Sequence, residues 1–436
     1  MSTFATQKKN VTDMNLSLIT YRLSFLVAAM LVGSQVCAQK KLYIPEDLRG
    51  MDLEADTLQW SLKRSIVTDD LIFMWERGFG ADVSNPPQLE GHDMSFNLTN
   101  LRDRVQTFYH FFRDTLGFVT PQHPSKADSY KMMVMVNYSL DGTAYGGTYD
   151  NFIGALWVAP NRIQDMKMNC MAHELGHSFQ SQIMADSIGD CWGGTGFFEM
   201  ASQWMLWQVN PNWLTDENYH FEAFKKLTHK AYLHMENIYH SPYVLQWWSD
   251  QHGRKFIAEL FRQGKRGEDP VVTYKRMNDL TQAAFCDEML RGYQHLMNFD
   301  FHHARQETRP YACTFDTELE QAASGWLRPK ELPEGYGFNA IKLDSRVNLS
   351  SKEFRLRIKG DHLRYGFVGV TTDDESYYSL VNATTFAVPK SKTLKHLYLV
   401  VMGAPERHED VMMSAGSEQE SPTYRQFPYE FQIHDE

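Results

Sequence analysis

Several things are scarce in this 436-residue chain, and each scarcity excludes something. No stretch is apolar for the eighteen or so residues that a membrane-spanning helix needs, so the mature chain is not expected to span a bilayer. No Lys/Arg-rich run relieves a formal net charge of −11, and nucleic acid, whose phosphates would be repelled, is excluded as a partner. No internal repeat is present. Cysteine is rare, five in all, so a dense disulfide scaffold is excluded as well. Disorder is excluded by what is abundant: 43% of residues are hydrophobic and only 22% are charged. The length exceeds what one ordinary core accommodates and predicts two or more domains.

The N-terminus has the form of a targeting segment. In "YRLSFLVAAMLVGSQVCAQKK", Arg22 precedes a run from Leu23 to Val32 that is apolar except for Ser24, followed by Val36 and Ala38 at positions suited to cleavage. About ten apolar residues suit the h-region of a secretory signal peptide. The expectation is a signal over residues 1–38, cleaved after Ala38 and with Met14 as an alternative start, and hence a secreted, periplasmic or cell-surface protein. Acylation at Cys37 is the alternative, disfavoured by Gln35 and Val36. Cys170, Cys191, Cys286 and Cys313 then remain; export permits disulfides in any of three pairings, and four buried free thiols are the other reading.

The rest of the chain changes pattern twice. "SIVTDDLIFMWERGFG", "KMMVMVNYSL" and "GALWVAP" read as strands, and "LRDRVQTFYHFFRDTLGF" as a helix with Leu101, Val105, Tyr109 and Phe112 on one stripe. From about residue 169 to 300 helical spacing dominates, through "FFEMASQWMLWQVN", "DENYHFEAFKKLTHKAYL", "VLQWWSDQHGRKFIAELFRQ" and "TQAAFCDEMLRGYQHLM". Pro and Gly cluster in "SGWLRPKELPEGYG", and short alternating runs follow, as in "EFRLRIKG", "RYGFVGVTT" and "HLYLVVMGA". The predicted class is α+β: a mixed sheet with a helical lobe over residues 39–322, a linker at 323–336, and an all-β sandwich at 337–436. Trp204, Trp207, Trp247 and Trp248 fall on helices and read as core; Tyr365, Tyr377 and Tyr378 are candidates for an exposed platform on the sandwich.

"NCMAHELGHSFQSQ" carries the chemistry. On a helix, His173 and His177 stand one turn apart on one face, so both imidazoles reach a single ion. Glu174 sits beside them, placed to take a proton from water without ligating the metal. From Asn169 to Ala185 no other residue carries a formal charge, which allows this helix to be buried. Cys170 shares the face of His173, but its spacing matches no His/Cys zinc signature. A third ligand three residues beyond a glycine is ruled out, because the required positions hold Gln180 and Ile183. Glu199, near the start of the next helix in an otherwise uncharged run, is the candidate third ligand; its other reading is an acid favoured by the helix dipole. Asp186 and Asp190 are the runners-up.

These residues resemble the gluzincin superfamily of zinc metallopeptidases, with the spacing and the Gly before the second His nearest to its enhancin-like, glycoprotein-directed branch. The order of signal, such a domain and a β-sandwich also resembles secreted bacterial families of undefined function. The resemblance covers roughly residues 70 to 300. It implies Zn²⁺ held by His173, His177 and Glu199, Glu174 as the general base, and an edge strand before the metal helix, the place of "GALWVAP". It also implies a tyrosine ahead of a helix ending in Gly; Tyr239, fourteen residues before Gly253, is similar, with His240 and Tyr243 as neighbours that could serve. Where many members carry an acid four residues after the ligand Glu, this chain has Gln203, preceded by Ser202, so an amide or hydroxyl would orient the histidine. The run by which aminopeptidases hold a free amino end is missing. The reading that follows is an exported zinc endopeptidase acting on proteins or glycoproteins, with the sandwich as an accessory module. The alternative is a non-catalytic surface- or glycan-binding protein with a structural or vestigial zinc site.

Overall fold

The first sheet begins as a hairpin, β1 (Ser65–Val67) turning into β2 (Leu71–Trp75). β2 and β3 (Met132–Val136) are buried at every position, as strands covered on both faces must be. β4 (Ala144–Tyr149) and β5 (Ile153–Val158) form a second hairpin, and the strand order is β1-β2-β3-β5-β4. β2, β3 and β5 run parallel; β1 and β4 are the antiparallel edges. The "GALWVAP" run is therefore an inner strand, and the edge beside the helix of His173 and His177 is β4. Its sequence, Ala-Tyr-Gly-Gly-Thr-Tyr, carries two glycines and no alternating apolar residues, so no strand was legible there. The computed structural model that gives this arrangement describes residues 39–411 and 424–435. The signal expected over residues 1–38, with Cys37, lies outside the described residues.

The helices follow the expected apolar stripes. α1 (Leu98–His110) buries Leu101, Val105 and Tyr109, and the stripe continues to Phe112 in a wider turn beyond it. α2 (Asn169–Ala185) and α3 (Phe197–Val209) cross closely, and α4 (Asn218–Leu227), α5 (Tyr243–His252), α6 (Phe256–Gln263), α7 (Pro270–Met277) and α8 (Gln282–Met297) complete the lobe. The stretch read as helical from 244 to 263 is two helices, divided where α5 ends at Gly253. Trp204, Trp207 and Trp248 are fully buried and Trp247 nearly so. No helix among the described residues is long and apolar enough to cross a membrane. Cys170, Cys191, Cys286 and Cys313 are free thiols, three of them buried.

The expected α+β class, with a helical lobe and a sandwich of two antiparallel sheets, is what the chain forms. β6 (Leu319–Gln321), β7 (Leu327–Pro329), β9 (Glu353–Lys359), β12 (Thr385–Ala387) and β14 (Glu430–Asp435) make one sheet, and β8 (Phe338–Lys342), β10 (Leu363–Thr371), β11 (Ser376–Tyr378) and β13 (Leu394–Gly403) the other. The sandwich thus begins at Leu319, ahead of the Pro/Gly cluster, and the segment read as a linker contributes β7. β13 is buried on both faces because alternate residues serve two cores. Leu397, Leu399 and Val401 meet Phe354 and Phe431 of the opposite sheet, while Tyr398, Val400 and Met402 join the core of the helical lobe. α8 docks on that second face: the Tyr293 ring stacks on Phe338 with centroids 4.1 Å apart, and Gln294 Nε2 donates to the Phe367 carbonyl at 3.0 Å. Tyr378 faces the same junction, stacked on His295 and donating to Asp300 at 2.7 Å, and so does not serve an exposed platform. From Lys41 onward the described residues form one compact unit.

A shared core has a thermal consequence. Calorimetry of the chain from residue 39 should show a single cooperative transition, because unfolding the sandwich strips α8 of its cover. Two well-separated transitions would contradict the shared packing.

Candidate metal centre

α2 is buried along most of its length, and its polar residues are spent on its neighbours. Ser178 Oγ donates to the Ala155 carbonyl of β5 at 2.8 Å, and Gln182 accepts from Gly154 N at 2.7 Å while donating to Phe152 O at 3.2 Å. Two glycines allow the close approaches on either side. A Cβ on Gly146 of β4 would lie 1.8 Å from the Glu174 carbonyl oxygen, and one on Gly176 would lie 2.8 Å from Ser202 Oγ of α3. The first lets the edge strand sit on the helix backbone beside the motif; the second lets α3 come near enough for its first-turn carboxylate to reach the histidines.

At this crossing His173 Nε2, His177 Nε2 and Glu199 Oε2 form a triangle with every edge 3.0 Å. The protons of both rings are assigned by their other sides. Gln203 Nε2 donates to the Tyr239 carbonyl at 3.2 Å, which turns Gln203 Oε1 toward His173 Nδ1, 3.2 Å away. Gln180 Nε2 donates to the Phe198 carbonyl at 3.2 Å, which turns its Oε1 toward His177 Nδ1, 3.1 Å away; Ser202 Oγ stands 3.2 Å from the same nitrogen. An amide oxygen can only accept, so each neutral ring carries its hydrogen on Nδ1. Both Nε2 lone pairs and a carboxylate oxygen then converge with no hydrogen between them, an arrangement that repels itself unless a cation sits there. Tetrahedral zinc, with bonds of about 2.0–2.1 Å, places its ligand atoms roughly 3.3 Å apart, so small outward shifts of these three atoms would accommodate it.

The electrostatics agree. A proton can stand in for that cation: burial alone would raise the Glu199 carboxyl, but hydrogen bonds and charge from protonated His173 and His177 outweigh it and hold the group well below the usual carboxylate range. Burial would likewise lower His173, yet Glu199 and the nearby Glu174 raise it. The pocket attracts positive charge. Tyr239 stacks on His173 with centroids 6.1 Å apart, and burial followed by the charge and hydrogen bond of Glu199 pushes its hydroxyl above the ordinary phenol value, so it remains an O–H donor. A cleft of about 560 Å³ opens over these groups, lined by Ala144, Tyr145 and Gly146 of β4, by His173, Glu174, His177 and Ser181 of α2, and by Gly194, Thr195, Phe198, Glu199 and Tyr239.

The structure thus brings His173, Glu174, His177, Glu199 and Tyr239 to one cleft. It keeps the runners-up away. Asp186 accepts from Ser125, from Lys126 N at 2.9 Å and from Gln182 at 2.8 Å at the far end of α2, and Asp190 lines a separate hollow with Arg266. His240 and Tyr243 do not line the cleft. Gln180 and His220, which accepts from Gln203 Nε2 at 2.9 Å, went unread as supports. Gln180 carried a signal, since it stands three residues after His177 on the same helix; His220 carried none. A second group of possible ligands, Asp269, His408 and Asp410, is a hydrogen-bonded bridge: His408 Nε2 lies 2.5 Å from Asp269, too close for two ligands of one ion.

With the geometry described, comparison with known proteins adds the following. Residues 34–436 match the model of a family described as "Family of unknown function (DUF6055)". No curated protein matches. Among solved structures the chain is similar to "ZmpB metallopeptidase from Clostridium perfringens", with 13% identity, a TM-score of 0.31, and coverage of 79% of this chain and 67% of that one. A likeness that slight leaves the function of this chain to its own residues.

Two outcomes follow from the crossing. Glu199→Gln should weaken retention of a divalent ion, measured by elemental analysis after dialysis, while Asp186→Asn and Asp190→Asn should not; the reverse would remove Glu199 as the third donor. Gly146→Ala should destabilise the fold by about 1–3 kcal/mol, because β4 cannot stay on the helix with a methyl group there. An unchanged melting temperature would contradict that contact.

Proposed function

Since the chain belongs to the DUF6055 family, whose description assigns no activity, the functional reading rests on the cleft, and we propose that the protein is an exported zinc metallopeptidase of the gluzincin kind. The observation that carries this is the convergence of His173 Nε2, His177 Nε2 and Glu199 Oε2 at 3.0 Å with both ring hydrogens held on the opposite nitrogens. Two imidazoles and one carboxylate are a zinc donor set that leaves a position open for chemistry, and a bound zinc would supply a Lewis acid that acidifies water and polarises a carbonyl.

The chain's own groups account for the remaining steps. Glu174 lines the cleft beside the two histidines without belonging to the converging triangle. Its carboxylate accepts the proton of the attacking water and passes it to the nitrogen of the departing amine. Tyr239, whose hydroxyl stays protonated, donates to the oxygen on which negative charge develops. β4 is the edge of its sheet and borders the cleft through Ala144, Tyr145 and Gly146, which gives an extended peptide a backbone to lie along. Among the described residues the cleft lining contains no Lys or Arg to hold a terminal carboxylate, and its acids there are Glu174 and Glu199, both already assigned roles. That lining is compatible with internal bonds of proteins or glycoproteins as the substrate.

Binding and chemistry separate in two variants. Glu174→Gln should keep full zinc content and lose about 10²- to 10⁴-fold in kcat/KM on a peptide library that includes glycosylated members. Tyr239→Phe should also keep zinc and lose about 10²-fold in kcat. Full activity in a zinc-loaded Glu174→Gln protein would overturn the assignment of the base.

A further inference from the structure

Gln203 stands under His173 and touches more than that ring. Gln203 is 97% buried, and its oxygen and both of its N–H groups have partners in different parts of the chain. Oε1 accepts from His173 Nδ1 at 3.2 Å; the two N–H bonds go to the Tyr239 carbonyl at 3.2 Å and to His220 Nε2 at 2.9 Å. His220 is itself buried, and its Nδ1 lies 2.7 Å from His240 Nδ1. Because His220 Nε2 accepts, its hydrogen is on Nδ1 and is donated to His240, which accepts on Nδ1 in turn. One direction of donation runs through the chain, from His173 to Gln203 to His220 to His240. These bonds need no member to carry a charge.

We propose that Gln203, backed by His220 and His240, is a positioning residue that orients His173 and Tyr239 together, and that the site requires an amide at this position and rejects a carboxylate. The inference rests on the proposed zinc reading and adds to it. A carboxylate at 203 would still accept from His173, and His220 could shift its hydrogen to Nε2 and donate to it, but the Tyr239 carbonyl oxygen would lose its donor and face a second oxygen with no hydrogen between them. The repulsion would turn the side chain away and release both clients at once, the ring that holds the metal and the backbone that carries the tyrosine. A glutamine whose only role was to support His173 would be improved by a negative charge, since a carboxylate makes the histidine a stronger donor. The two accounts predict opposite signs.

The test compares wild type, Gln203→Glu and His220→Phe. The readouts are the rate of zinc release to a chelator, the visible absorption of the cobalt-substituted protein as a signature of ligand geometry, and the split between kcat and KM. Gln203→Glu should release zinc about 10- to 100-fold faster, alter the cobalt spectrum and lower kcat with little change in KM. Retention in Gln203→Glu equal to or tighter than wild type would overturn the inference. Should Gln203→Glu fail to fold, His220→Phe keeps the ring and removes the acceptor. Faster zinc release is expected there, and an unchanged rate would overturn the proposal equally. A wild-type chain that holds no zinc removes the parent reading and this one together; zinc in wild type with these variants indifferent removes only this one.

Discussion

Three lone pairs cannot share a space 3.0 Å across unless something positive separates them. Much of the surrounding structure is explained by that constraint. The histidines come from consecutive turns of α2, the carboxylate from the first turn of α3, and the two helices approach closely because Gly176 presents no side chain to Ser202. Two buried glutamines then keep the ring hydrogens on the outer nitrogens, and each is fixed in orientation by a backbone carbonyl that only its NH₂ end can satisfy. Without those carbonyls the amides could turn over, the hydrogens could move inward, and the repulsion would relax into ordinary hydrogen bonds.

Charge is used sparingly around the site. Between Asn169 and Ala185 the only formally charged residue is Glu174, and α3 carries only Glu199. Burying a carboxylate is costly unless a partner offsets it, and the partners of Glu199 are two histidines that are neutral when their Nε2 atoms ligate. The net demand for positive charge is therefore local and is not cancelled by any Lys or Arg of the cleft among the described residues. A placement of Glu199 favoured by the helix dipole is fully compatible with this, since the first turn of α3 is also where it meets the histidines.

The motif was legible because its chemistry depends on spacing along one helix, which sequence shows directly. Glu199 was legible for a related reason: an acid in an otherwise uncharged run needs a partner. The edge strand was not, because Gly146 and Gly147 erase the period-two pattern that marks a strand, and its identity depends on a fit against the backbone at Glu174. His220 was invisible because its role is set by a contact 17 residues away through another side chain. In the fold, the helices and the long strands of the sandwich followed their apolar periods. The start of the sandwich did not, since β6 and β7 are three residues each and Pro329 ends the second. The double burial of β13 was present in the sequence as an unbroken apolar run, but such a run does not say which two cores it serves.

The helical lobe and the sandwich meet through Tyr293, Gln294 and the outward residues of β13, so the sheet braces α8 from behind while α2 and α3 carry the donors. All of this leads back to one centre, and anomalous diffraction tests it most directly. Crystals grown with zinc and measured on both sides of the zinc absorption edge should show one strong peak bounded by His173 Nε2, His177 Nε2 and the Glu199 carboxylate. A map with no peak at that place, or with zinc held only by other residues, would contradict the account.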